Sequence, residues 1–136
     1  MSKRYSGGCA CGAIHYETAS EPAVSLHCQC LDCQKRSGSG HSSYVVFPQK
    51  ADIRITGEAK SWRVAGDSGN EKIHAFCPNC GTPVWLTFAA NDMIAVHAGS
   101  LDDAAAFDPQ IVTYGMRGHA WDRIEAPLKT FERMPG

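Results

Sequence analysis

Short stretches of alternating or β-branched residues recur along the chain, separated by Gly, Pro, Asn and Asp. Such spacing, about eight to twelve residues from one stretch to the next, is typical of all-β domains. The pattern predicts strands over residues 13–18, 43–47, 53–56, 60–64, 72–76, 84–88 and 93–98. It predicts one short helix over 31–36, a second over 101–107, and strand fragments and loop over 114–136.

Composition narrows the possible functions. The chain has 136 residues, 43% of them hydrophobic, and a net charge of -1 from 13 basic and 14 acidic residues. We therefore expect a single domain over residues 1–136 and no nucleic-acid partner, because nothing in this balance would attract phosphate. No apolar run is long enough to span a membrane and no apolar leader is seen, so we expect a cytoplasmic protein.

Cysteine is the unusual component of the sequence. Seven cysteines are present, and in a reducing compartment clustered thiols usually hold metal. An odd number of them also fits poorly with a framework of disulfides. They fall at positions 9, 11, 28, 30, 33, 77 and 80.

Four of the cysteines form two tight pairs, each near the end of a predicted strand. The first pair is Cys9-Ala10-Cys11-Gly12 and the second is Cys77-Pro78-Asn79-Cys80-Gly81. A glycine after each pair allows the chain to turn tightly, and four thiolates complete a structural zinc site. Free buried thiols would not explain two clusters, and a redox pair would require a βαβ pattern that is absent.

The remaining three cysteines, Cys28, Cys30 and Cys33, lie within six residues. A zinc ion with three protein ligands keeps one position open, whereas a structural site is closed by a fourth. The triplet therefore favours an open site that accepts an external thiol. Two alternatives remain: three free or transiently metallated thiols, or a site closed by histidine, for which His41 is a better candidate than the adjacent His27.

In order and spacing these motifs resemble the glutathione-dependent formaldehyde-activating enzyme family, which shares its domain with the centromere protein V group. The resemblance rests on Gly8-Cys9-Ala10-Cys11-Gly12, Cys28-Gln29-Cys30-x-x-Cys33, Ser37-Gly38-Ser39 and Phe76-Cys77-x-x-Cys80-Gly81-Thr82. It extends from about residue 4 to residue 130, with a looser match at His119-Ala120-Trp121 and Ala126-Pro127. The chain departs from the family at Gln29, where histidine is frequent, and at Gln34, where arginine is frequent nearby.

The resemblance implies an all-β fold of small sheets stapled by zinc, the β-tent (Mss-like) fold. It implies two zinc ions, one on Cys9, Cys11, Cys77 and Cys80 and one on Cys28, Cys30 and Cys33. It also implies a carbon–sulfur lyase-type enzyme that joins glutathione, or a similar small thiol, to an aldehyde such as formaldehyde. A zinc-stabilised protein-binding module without catalysis is the alternative, and the sequence leaves the oligomeric state open, a homo-oligomer included.

The proton donor for such a reaction is not identified by the sequence. The candidates near the triplet are Gln34, Lys35, Arg36, Ser37, Ser39 and His41, of which Lys35 and Arg36 are also expected to be solvated. We expect His15, His74 and His97 to be ordinary packed or surface residues, and Trp62, Trp85 and Trp121 to belong to the core.

Overall fold

Eleven strands and one helix form the regular structure of the described residues, 4–66, 68–124 and 128–135, in a computed structural model of the chain. The only α-helix among them, α1, spans Leu31–Ser37 and ends at Gly38, whose φ of 72° is readily adopted only by glycine. The strands are β1 Tyr5–Gly8, β2 His15–Thr18, β3 Val24–Cys28, β4 Ser42–Phe47, β5 Arg54–Thr56, β6 Lys60–Ala65, β7 Glu71–Phe76, β8 Pro83–Phe88, β9 Ile94–His97, β10 Ile111–Thr113 and β11 Lys129–Thr130.

The strands form two sheets of unequal size. The small sheet has the order β1-β2-β5 and is antiparallel throughout. The large sheet has the order β11-β10-β3-β4-β9-β8-β7-β6, and its only parallel pairs are β11 with β10 and β10 with β3. The β7–β8 pairing shifts register between Ala75 and Phe76, next to one of the cysteine pairs.

The main core lies between the two sheets. Tyr5 and Tyr16 of the small sheet make edge-to-face contacts with Phe47 and Trp85 of the large one, at ring-centroid distances of 5.4 and 6.2 Å. The Tyr16 hydroxyl is also hydrogen-bonded to Ser100 Oγ at 2.6 Å, so its polar end is satisfied inside the core. These contacts bury one face of the large sheet.

The opposite face of the large sheet carries a second core beneath α1. Tyr44, Val46 and Leu86 are buried there, together with the three clustered cysteines Cys28, Cys30 and Cys33 and with Tyr114. The helix is short and brings two of these cysteines onto the sheet. The second core therefore includes the triplet itself.

The mostly β prediction is confirmed. All seven predicted strands are present with ends shifted by at most two residues, and the helix over 31–36 corresponds to α1. The helix predicted over 101–107 is wrong, since only a 3-10 turn forms at Ala104–Ala106. Strands β1, β3 and β10 were not predicted. The Ala126-Pro127 motif lies outside the described residues.

Two of the three tryptophans are not in the core, contrary to expectation. Trp85 is buried, but Trp62 is 38% exposed and Trp121 is 68% exposed. Trp62 lies on the edge strand β6, and Trp121 stacks on His119 at 5.0 Å in a surface segment. Of the histidines, His74 is buried, His97 is partly buried and His15 is exposed, in line with packed or surface roles.

None of the described helices is long and apolar enough to cross a bilayer.

Candidate functional site

The four cysteines of the two sequence pairs meet where the small sheet joins the large one. Cys9 and Cys11 lie in the β1–β2 turn, and Cys77 and Cys80 lie in the β7–β8 turn. Their four sulfur atoms lie within 4.8 Å of one another. Sγ–Sγ distances of 3.6 Å for Cys9–Cys11 and 3.7 Å for Cys11–Cys77 approach the edge of about 3.8 Å expected for a tetrahedron with zinc–sulfur bonds of about 2.3 Å.

Backbone amides in these turns point at the sulfur atoms. The Ile14 N–H donates to Cys9 Sγ at 3.2 Å, and the Asn79 N–H donates to Cys77 Sγ at 3.4 Å. The Thr82 hydroxyl, 3.1 Å from Cys80 Sγ, is the first cause of a Cys80 pKa lowered to about 5, and the Thr82 backbone amide adds to it. Such a cradle stabilises thiolates, which are the metal-binding form of cysteine.

Gly12 and Gly81 give this four-cysteine cluster its tight turns. Their φ angles of 82° and 80° fall in the left-handed region, which residues with a Cβ atom rarely adopt. The Gly81 N–H also donates to the Cys77 carbonyl at 2.8 Å and closes the Cys77–Gly81 turn. The cluster therefore has the donor set, spacing and backbone that could hold a tetrahedral metal ion.

The three-cysteine cluster is built at the junction of β3 and α1. Cys28 is the last residue of β3, Cys30 caps the N-terminus of α1, and Cys33 lies in its first turn. The Cys33 N–H donates to Cys30 Sγ at 3.3 Å. All three residues are buried, and their sulfur atoms lie within 4.8 Å of one another.

The electrostatics of this cluster fit a bound cation. Hydrogen bonds from the Cys30 and Cys33 thiols hold the pKa of Cys28 well below its usual value, although burial opposes this. Those same bonds raise the pKa values of Cys30 and Cys33. Only one thiolate is thus favoured by the protein alone. A divalent ion would supply the charge that lets all three sulfurs ionise.

Histidine does not complete the three-cysteine cluster, so the alternative of a site closed by His41 is wrong. Within the part of the chain that the structure describes, no His, Asp or Glu donor atom joins the three sulfurs. His41 Nδ1 instead lies 2.6 Å from Asp122 Oδ2, and His27 Nδ1 lies 2.8 Å from Ser43 Oγ. The described residues therefore leave the cluster with three ligands.

A cavity of about 160 Å³ borders the cluster at Cys30. Its walls come from three distant parts of the chain: the start of α1, the β6–β7 hairpin and the segment after β10. The lining residues are Cys30, Leu31, Asp32, Ala65, Gly66, Lys72, Tyr114 and Arg117. Two cationic side chains, Lys72 and Arg117, and one carboxylate, Asp32, are among these residues.

Lys72 and Tyr114 form one side of the cavity. The Lys72 ammonium lies 5.9 Å from the centroid of the Tyr114 ring. Burial alone would lower the pKa of Lys72, but the thiolates of Cys30, Cys33 and Cys28 raise it above its usual value. Tyr114 has a φ of 55°, a left-handed conformation that is unfavourable for a bulky residue and that clusters at functional sites.

The six candidates for a proton donor do not line this cavity. Gln34 uses its side-chain amide to donate to the backbone carbonyls of Gln29 and Arg117, at 2.8 and 3.0 Å. Lys35 is exposed, as predicted. The other four are occupied elsewhere: Arg36 lies over the Trp62 and Phe76 rings, Ser37 and Ser39 complete the turn after α1, and His41 pairs with Asp122.

The residues that do line the cavity were missed by the sequence analysis. Lys72, Tyr114 and Arg117 lie far from the cysteine motifs along the chain. The one available signal was the alternation in β7, where Lys72 shares a face with His74 and Phe76. In the structure Lys72 lines the cavity and Arg36 of α1 lies over the Phe76 ring, so this face lies toward α1 and the cavity. Gln29 is buried against Gly115 and Gly118 and does not line the cavity.

This combination of a mostly β fold with a four-cysteine and a three-cysteine cluster defines a class of thiol-rich domains that could bind two metal ions. The sequence model of the glutathione-dependent formaldehyde-activating enzyme family matches residues 4–117. The chain belongs to that family, as the resemblance of its motifs predicted.

The fold is also found in a crystal structure of a Rhodobacter sphaeroides protein. The two chains are 22% identical, and the match covers 72% of this chain and 88% of the other, with a TM-score of 0.56. At that identity the likeness concerns the fold alone.

Proposed function

We propose that this protein binds two zinc ions and catalyses the addition of a small thiol, glutathione or a close analogue, to formaldehyde. The observation that carries the proposal is the buried cluster of Cys28, Cys30 and Cys33, which has three sulfur ligands and opens at Cys30 onto a cavity. Membership of the glutathione-dependent formaldehyde-activating enzyme family supports the choice of substrates. Seven cysteines that are all free thiols suit a reducing compartment such as the cytoplasm.

The reaction is an addition that needs no oxidant. The sulfur of the thiol forms a bond to the carbonyl carbon, the carbon–oxygen double bond becomes single, and the thiol proton ends on oxygen, giving an S-hydroxymethyl adduct. When bound at the three-cysteine cluster, zinc supplies the means of holding a thiol as its nucleophilic thiolate at neutral pH. The reverse reaction breaks the same carbon–sulfur bond.

The residues around the cavity provide the remaining requirements of this chemistry. Tyr114 and Lys72 are able to donate hydrogen bonds toward an oxygen that gains negative charge. The four-cysteine cluster lies at the junction of the sheets and does not border this cavity, so we assign it a structural role.

Calorimetric titration with glutathione tests the proposal, using protein that contains two zinc ions per chain by elemental analysis. We expect saturable binding of glutathione and none of S-methylglutathione, because the latter has no thiol proton to lose. Exchange of labelled formaldehyde into the S-hydroxymethyl adduct, followed by NMR, then measures turnover against the uncatalysed rate. Cys30→Ser should reduce that exchange to the uncatalysed rate.

The titration also separates the enzyme from a binding module. If zinc-loaded protein bound neither glutathione nor another small thiol, both clusters would be structural, and a non-catalytic zinc-stabilised module would replace the enzyme. Binding without any acceleration of exchange would leave a thiol-binding protein and would contradict the proposed reaction.

A further inference from the structure

The cavity beside the three-cysteine cluster is small for a peptide ligand. Its volume is about 160 Å³, whereas sites that enclose a drug-sized molecule measure roughly 300–1,000 Å³. A tripeptide would leave most of its atoms outside. The side chains that line this space therefore contact the part of the ligand that lies nearest to the sulfur.

Lys72 is the half-buried cation of this cavity. No Asp or Glu oxygen among the described residues lies within ion-pair distance of its ammonium, although charged partners are found for Arg4, Arg54 and Arg63 on the surface. Its counter-charge comes instead from the sulfur atoms of Cys30, Cys33 and Cys28, whose negative charge opposes the cost of burying the ammonium. Because no described carboxylate holds it, the ammonium can also contact an anion that enters the cavity.

Gly66 makes space for the Lys72 side chain in the β6–β7 hairpin. A Cβ at this position would lie 3.0 Å from Lys72 Cε and 3.4 Å from Nζ. At these distances the end of the lysine side chain would have to shift by a few tenths of an ångström. The side chain is thus held over Gly66 on one side and 5.9 Å from the centroid of the Tyr114 ring on the other.

We propose that Lys72 forms an anion subsite which binds a carboxylate of the thiol held at the three-cysteine cluster. This inference rests on the proposed function and adds a chemical class to it: the substrate is an anionic thiol with its negative group close to the sulfur. Arg117 adds positive charge to the same wall, and Asp32 contributes the one carboxylate among the lining residues. A cation placed beside the sulfur position, as Lys72 is, favours an anionic ligand over a neutral or cationic one.

The test compares three thiols of similar size and different charge on zinc-loaded protein: mercaptopropionate, mercaptoethanol and cysteamine. We expect calorimetry to show mercaptopropionate binding about tenfold more tightly than mercaptoethanol, since one charge-assisted contact is worth roughly that factor, and cysteamine binding most weakly. Lys72→Met should abolish the preference for mercaptopropionate, and Lys72→Arg should retain part of it.

Lys60→Met is the matched control. It removes the same charge from the same hairpin, but Lys60 is exposed and lies at the end of β6 that is farther from the cavity. This variant should keep the wild-type preference, and zinc content and circular dichroism verify that every variant is folded. If Lys72→Met kept the preference, the subsite would be refuted while the proposed function stood. If the wild-type protein bound no thiol, both would be refuted, whereas equal binding of all three thiols would refute the subsite alone.

Discussion

At the scale of single residues, Tyr44 of β4 contacts a sulfur atom of the three-cysteine cluster. Its hydroxyl lies 3.4 Å from Cys33 Sγ, and the residue is buried. Burial, followed by the charge on Cys33, raises the pKa of Tyr44 well above its usual value, so the phenol keeps its proton and donates it to the sulfur. Groups that hydrogen-bond to metal ligands in this way orient the ligands and tune metal affinity.

Tyr44→Phe should therefore weaken metal binding at this cluster without unfolding the protein. We expect the affinity for zinc, measured by competition with a chromophoric chelator, to fall about tenfold at the three-cysteine cluster and to stay unchanged at the four-cysteine cluster. Tyr16→Phe is the control, because it removes an equally buried hydroxyl that contacts Ser100 rather than a cysteine. If both variants changed zinc affinity alike, the hydrogen bond to Cys33 would have no special role.

At the scale of elements, local patterns predicted the strands better than they predicted the cavity. The alternation of hydrophobic and polar residues over 72–76 or 84–88 depends only on neighbouring positions. The end of α1 at Gly38 is likewise set by local sequence. Strand β3 was not predicted, and its last residue, Cys28, was assigned only to the metal motif. The cavity was missed for a different reason. Its walls combine residues 30–32, 65–72 and 114–117, and the last of these reaches the cluster through long-range contacts, the pairing of β10 with β3 and the hydrogen bond from Gln34 to the Arg117 carbonyl.

The elements beneath α1 also bury two histidines that make the fold sensitive to acid. His74 on β7 has both ring nitrogens buried without a hydrogen-bond partner in the described part of the chain. Its pKa is lowered to about 4, first by burial and then by Arg36 and Lys72. His97 on β9 also has a pKa of about 4, because of burial and then of His74 and Arg36.

The sign of the resulting pH dependence follows from these lowered values. The neutral histidines favour the folded state fully above about pH 6.5, their unfolded pKa, and this stability is lost as the pH falls toward 4. Each histidine contributes up to about 3 kcal/mol to that loss. In His74→Leu the free energy of unfolding should decline less steeply between pH 6.5 and 4, with little loss at pH 7, since no hydrogen bond is removed.

Chemical denaturation of zinc-loaded protein at several pH values measures this slope. His15→Leu serves as the control, because His15 is exposed on β2 and its replacement should leave the slope unchanged. Protonation of the cysteines affects all three proteins equally and cancels in the comparison. A slope in His74→Leu identical to that of the wild type would show that His74 is not buried as a neutral group.

At the scale of the whole molecule, the two cysteine clusters stand in different relations to the fold. The four-cysteine cluster joins the β1–β2 turn of the small sheet to the β7–β8 turn of the large one. It thereby connects distant parts of the chain, since Cys11 and Cys77 are 66 positions apart. The three-cysteine cluster joins only β3 to the adjacent α1. Ligands that close a long loop stabilise more than ligands within one short segment.

Loss of the first cluster should therefore destabilise the fold strongly, whereas loss of the second should chiefly remove the thiol chemistry. We expect Cys80→Ser to lower the unfolding temperature by roughly 10 °C or more, and Cys30→Ser by less than about 5 °C. Amide hydrogen exchange should show β1 and β2 losing protection first in Cys80→Ser, because the small sheet would then be held by its packing and by its hydrogen bonds to residues 100–102, without the cluster. Equal losses of stability in the two variants would contradict this division, and both clusters would then have to be regarded as parts of the folding core.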